Sequence, residues 1–182
     1  MGNKSILVAP REINDLVQRA SRVKGCEASV AERIASRITF CEMNYGGGIN
    51  GWLQLVTDDK NCLSETFQSV QILDALPAEN SFEFFWDPPI PFAFIAQPLS
   101  VLQSYGFTWE ISPETVAGDV LIQCVCLNKE SSAKNSSGND VNEAFSRGLQ
   151  VDSDNWKNLV DIAAGFLLSE KILDDAHSAV YE

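Results

Sequence analysis

The chain has 182 residues, 45% of them hydrophobic, with 13 basic and 25 acidic side chains and a formal net charge of −12. That length suits one domain with a substantial core rather than two, and the apolar fraction excludes a globally disordered chain. The acidic excess argues against general nucleic-acid binding, because phosphate backbones are polyanions, and no stretch approaches the roughly 18 uncharged apolar residues of a membrane span.

Ile6, Leu7, Val8 and Ala9 are too few for the apolar core of a secretion leader, and Pro10 and Arg11 end them. Met1-Gly2 lacks the Ser or Thr that a myristoylation motif needs, having Ile6 there. The charge is unevenly spread. Residues 1–40 hold seven basic and four acidic side chains, a net +3, so the remainder carries −15. This basic start is read either as a solvated helix face or as a surface that docks on an acidic body or partner.

Pro10 suits the first turn of a helix. Ile13, Leu16, Val17, Ala20 and Val23 recur at helical spacing, and Gly25 is a stop signal. A second helix fits residues 28–44, with Val30, Ile34, Ile38 and Cys41 on one stripe and Arg33 and Arg37 on its flank. The short connection makes the two an antiparallel pair over residues 1–45. The acidic remainder and the lack of a recognition helix disfavour a helix-turn-helix DNA reader.

Residues 45–52 read Tyr45-Gly46-Gly47-Gly48-Ile49-Asn50-Gly51-Trp52 and hold four of the 11 glycines. Two readings fit. Glycine supplies the positive φ of a helix end and turn. Alternatively, successive amides form a nest for an anion at the start of the next helix, with Asn50 as its N-cap. The run is not a P-loop, because Trp52-Leu53 follows Gly51 where Lys and Ser or Thr belong. It is not a dinucleotide fingerprint either, because it follows a helix. Glu42 is the nearest carboxylate, one turn earlier. The candidate ligand-binding set is therefore Glu42, Tyr45, Gly46, Gly47, Gly48, Asn50 and Trp52, for an anionic metabolite.

A weak helical pattern covers residues 64–76 and closes at Pro77. Residues 82–94 hold five of the ten phenylalanines and Trp86, with Pro88, Pro89 and Pro91 among them. Residues 82–86 suit a buried strand that the prolines break. A helix over 92–105 follows, with Pro98 as a kink or boundary. The segment is read as core, pocket lining or oligomer interface. Gly106 closes it. Residues 107–111 and 116–127 read as strands around Ser112-Pro113-Glu114. Residues 129–140 are polar and read as a mobile loop, and 141–151 return to strand-like sequence. Ser153 is the expected N-cap of a last helix with an apolar stripe from Trp156 to Leu167, and the acidic tail 174–182 is expected to fray.

Five cysteines without a secretion signal argue for reduced thiols in a cytoplasm. Cys124 and Cys126 fall on one face of a strand and are read as buried structural thiols. With one histidine, His177, and no CxxC pair, no metal site and no cofactor is expected. His177 lies in the acidic tail, so no Ser-His-Asp constellation is supported. Glu42 and Glu170 are the carboxylates considered for acid/base work.

Three stretches together resemble the bacterial Domain of Unknown Function 3726 family over most of the chain. The helical pair runs from Glu12 through Gly25 to Ala31-Glu32 and leads through the glycine turn to Trp52-Leu53. The proline-aromatic stretch 88–105 leads to Gly106. The closing segment carries Val151, Trp156, Leu159, Ala163, Leu168, Ser169 and Glu170. The family's Gly-rich stretch after the Ser-Glu pair is replaced here by residues 171–182. The resemblance implies a bacterial cytoplasmic protein and carries no reaction, cofactor or catalytic residue.

The expected fold is α+β in one domain, residues 1–182: an antiparallel helical pair, a mostly antiparallel sheet and a packed C-terminal helix. The expected function is an accessory or protein-interaction domain, an oligomer or a subunit, without nucleic acid or membrane. The alternative is a small-molecule binding protein or enzyme with its pocket at the glycine run.

Overall fold

Apolar side chains at helical spacing make the first two helices bury facing stripes. In the computed structural model, which describes residues 4–57, 63–75, 79–129 and 148–178 with side chains to residue 166, α1 (Pro10–Val23) buries Ile13, Val17 and Ala20. Against it, α2 (Ala28–Asn44) buries Ile34, Ile38 and Cys41. The Glu12 carboxylate accepts from the Ala9 amide at 2.8 Å and satisfies one orphan donor at the start of α1. Gly25, at φ 87°, turns the chain into α2.

The architecture is α+β. Among the described residues there are six α-helices and two antiparallel sheets. The first sheet pairs β1 (Ser5–Val8) with β5 (Leu149–Asp152), from Ser5 opposite Asp152 to Val8 opposite Leu149. It brings the N-terminus to the start of α6 (Ser153–Ser178), which packs on α1. Asp152 Oδ1 accepts from the Asp154 and Asn155 amides at 3.0 Å each, so Asp152 caps α6 and Ser153 is its first residue. No helix among the described residues is long and apolar enough to cross a membrane. The side chains of Glu170 and His177, residues 130–140 of the expected loop and residues 179–182 of the expected tail lie outside the described residues; residues 174–178, expected to fray, continue α6.

The second sheet has the order β2-β4-β3, from β2 (Ser81–Pro91), β4 (Leu121–Lys129) and β3 (Phe107–Ser112). Its inner face buries Val125 and Leu127 on the central strand. Phe82, Phe84 and Trp86 line the same face of β2 as a stacked ladder, successive rings 6.3 Å apart. The prolines do not break β2. The strand continues to Pro91 with a register shift between Phe85 and Ile90. An edge strand tolerates lost donors on its open side, which explains the difference.

After β2, Phe92–Phe94 forms a 3-10 turn and α5 (Ala96–Ser104) follows, with Pro98 in its first turn, where no donor is lost. Between α2 and β2 lie α3 (Gly48–Thr57), α4 (Leu63–Val70) and the 3-10 turn Gln71–Asp74. That turn corrects the solvated reading at Arg37 alone, while Lys4, Arg11, Arg19, Arg22, Lys24 and Arg33 stay exposed. Arg37 is 3% exposed, 2.6 Å from Asp74, and donates to Phe94 O at 2.9 Å. Arg33 meets the same carboxylate at 2.6 Å, and both guanidinium groups lie over the Phe67 ring.

Among the described residues the cysteines divide into two classes. Cys26 and Cys41 are buried as expected. Cys124 and Cys126 are only half-buried, on the outer face of β4, which corrects their reading as buried thiols. The inner positions of β4 are Val125 and Leu127, so alternation sends both thiols outward.

Candidate functional site

The glycine run is a joint between α2 and α3. Gly46 and Gly47 both adopt positive φ, 71° and 70°, and reverse the chain within two residues. The Tyr45 and Gly46 amides close the end of α2 on Cys41 O, at 2.8 and 3.0 Å. Gly48 then opens α3, two residues before the expected cap at Asn50. With Asn50 already inside the first turn, its Nδ2 is directed instead to Asp119 Oδ2, at 2.8 Å.

The anion that the nest was expected to hold is supplied by the protein itself. Glu42 projects from the last turn of α2, and its Oε2 accepts from the Ile49 amide at 2.9 Å. The carboxylate therefore sits at the positive end of α3, where the helix dipole and orphan amides favour negative charge. Burial holds the Glu42 pKa above its ordinary value. The Ile49, Gly48 and Gly47 amides oppose that shift, and Asp119 adds to it. The same burial, beside Glu42 and Asp119, pushes the Cys41 thiol far up, and burial raises Tyr45.

Two partners of the joint were not among the sequence candidates. The 113–120 loop crosses the run at Gly118, backbone on backbone. Gly118 N donates to Gly46 O at 2.9 Å, and Ala93 N donates to Gly118 O at 3.1 Å. A Cβ on Gly118 would come within 2.5 Å of Gly47 O and of Gly48 N, and a Cβ on Gly51 would strike Gly118 O. Gly48 and Gly51 in the run and Gly118 in the loop thus leave no room for a Cβ against neighbouring backbone. The only trace of this in the sequence is the Gly118-Asp119 turn signal, which does not say what the turn meets.

Glu42, Gly46, Gly47, Gly48 and Asn50 lie together at the joint. Tyr45 is half-buried and meets Phe92 edge-on at 5.2 Å. Trp52 points away from them. It is fully buried, and its Nε1 donates to Ser21 Oγ at 3.1 Å, tying α3 to α1. Beyond Asn50, a groove of about 480 Å³ runs between α3 and α6. Its polar lining is Asn50, Gln54, Thr57, Asn155, Asn158 and Asp161.

Comparisons of the chain with family models, with curated proteins and with solved structures gave no match in any of the three.

Proposed function

We propose that this chain is a protein-interaction domain of the cytoplasm whose docking surface is the open edge of β2, used between copies or towards a neighbouring subunit. The supporting observation is the aromatic ladder on an edge strand. Among the described residues β2 pairs on one side only, and Phe82 and Phe84 stay partly exposed. On the other face Phe85 is 64% exposed. Unpaired donors and acceptors beside apolar rings make a template for an added strand. Pro88, Pro89 and Pro91 blunt only the far half of that edge. The test is light scattering of the purified chain across micromolar concentrations. Association is expected, and Phe85→Lys, at the exposed ring of the same stretch, is expected to abolish it with the fold intact by circular dichroism. A monomer at every concentration removes the support for self-pairing.

A second reading is favoured by the groove between α3 and α6. Carboxamides donate and accept in equal measure, so this lining suits a neutral polyol or amide. An anion would meet Asp161 there, and at the glycine run it would compete with Glu42. A saturating ligand, at about a hundred times its Kd, adds about 2.7 kcal/mol of stability, an upward Tm shift of roughly 5–11 °C. Asn158→Ala is expected to reduce that shift. A polyol and amide panel that moves nothing leaves this reading without support.

A further inference from the structure

The outer face of the β2-β4-β3 sheet gathers side chains that neither reading uses. Cys124 and Cys126 stand on it two residues apart, their sulfurs 3.9 Å from each other. The Cys124 thiol donates to Glu83 Oε1 at 3.3 Å, across from β2. One ligand atom from each of Glu83, Cys124 and Cys126 lies within 4.8 Å of the others. The register places Glu83 and Glu110 directly opposite Cys126 from its two sides. Among the described residues neither glutamate has an ion-pair partner. Thiols are usually among the most buried side chains, so two on a solvated sheet face beside two carboxylates need a reason.

We propose that this face binds a thiophilic divalent cation of the zinc class, with Cys124, Cys126 and Glu83 as side-chain ligands. In a tetrahedral site with Zn–S near 2.3 Å and Zn–O near 2.0–2.2 Å, ligand sulfurs stand about 3.8 Å apart and sulfur and oxygen about 3.5 Å apart. The observed 3.9 and 3.3 Å separations are within a few tenths of those values. The ligands stand on two neighbouring strands in fixed register. Glu110, one strand spacing of about 4.8 Å from Cys126, is the next carboxylate toward the fourth position, which water otherwise takes. Binding exchanges the two thiol protons for two metal–sulfur bonds, with no change of oxidation state.

The competing product of two close thiols is a disulfide. Residues two apart on a strand have Cα atoms about 6.7 Å apart, at the limit of the 4.4–6.8 Å that a disulfide spans. Oxidation would therefore have to buckle β4, which is paired on both sides. A simple thiol–carboxylate hydrogen bond is the remaining alternative.

The test uses the full chain, reduced and freed of metal, titrated with Co²⁺. One equivalent is expected to give a thiolate-to-cobalt charge-transfer band and the visible bands of tetrahedral cobalt, and Zn²⁺ is expected to remove both. Cys124→Ser with Cys126→Ser should abolish them. Glu83→Gln, at an exposed position, should weaken binding by at least about tenfold while leaving the fold unchanged. In the unmutated chain Zn²⁺ should also slow the modification of two thiols by a disulfide reagent. No band with cobalt in large excess, bands that survive the double serine variant, or no zinc protection would each overturn the site.

Discussion

Gly118→Ala is the sharpest perturbation of the joint. The new Cβ would lie 2.5 Å from Gly47 O and from Gly48 N, all of it backbone. Unstrained contacts are about 3.5–4.0 Å, so the loop must retreat by about 1 Å. Retreat breaks or stretches the Gly118–Gly46 and Ala93–Gly118 bonds, at 2.9 and 3.1 Å. Each contributes about 1 kcal/mol net, and overpacking adds about 1–3 kcal/mol, so the expected loss is about 3–5 kcal/mol. Folded domains have only about 5–15 kcal/mol in total, and the corresponding Tm drop is roughly 6–20 °C. The assay is urea denaturation followed by circular dichroism, with two controls. A Cβ on Gly46 meets open space, but its φ of 71° costs about 1–2 kcal/mol. Gly165, inside α6, would meet the Val23 side chain, Cγ1 at 3.3 Å and Cγ2 at 3.6 Å, so Gly165→Ala is expected to be neutral or to gain up to about 1 kcal/mol in helix propensity. An unchanged midpoint for Gly118→Ala, or an equal loss at Gly165, would refute the close-approach account.

Three further outcomes are expected. Asp74→Ala leaves the buried Arg37 guanidinium with only Phe94 O and the Phe67 ring, and costs about 2–3 kcal/mol, reduced from the range for wholly buried pairs because Asp74 is 33% exposed. Adding Arg37→Met should recover part of that loss, and additive single effects in a double-mutant cycle would contradict the pairing. Glu42 is a carboxylate whose folded pKa is raised, so the native state holds its proton more tightly than the unfolded chain. Stability therefore falls as pH rises from the usual carboxylate range through the raised value. Glu42→Gln should remove that fall while its oxygen still accepts from Ile49. Urea midpoints with the same pH profile in both proteins would remove Glu42 as the cause. Phe85→Lys should raise the dissociation constant of any self-complex by at least about tenfold in sedimentation velocity, and an unchanged constant would place the interface elsewhere.

The parts of the fold legible in the sequence were those set by local spacing. The stripe Val30, Ile34, Ile38, Cys41 and the glycine stop gave α2 at 28–44, where it stands. β1 escaped notice because four residues carry little periodicity and its partner, β5, is near the other end of the chain. Arg37 looked like a surface residue because nothing local shows that Asp74 and Phe67 close over it. The candidate site was half legible. Glu42 and the glycines announce an anion and a tight turn, but the sequence does not say that the anion is Glu42 itself. Asp119, bonded to Asn50 across 69 positions, is a tertiary fact without a local signature. The same holds for Glu83, which turns two thiols into a three-ligand cluster only through strand register.

The near half of the β2 edge is proposed as a docking strand. Hydrogen exchange of the backbone amides of residues 81–86, at dilute and at high protein concentration, tests it most directly. The expected result is protection of the outward-facing amides that grows with concentration and is absent in Phe85→Lys. Fast exchange of those amides at every concentration, alongside a protected β4, would contradict it.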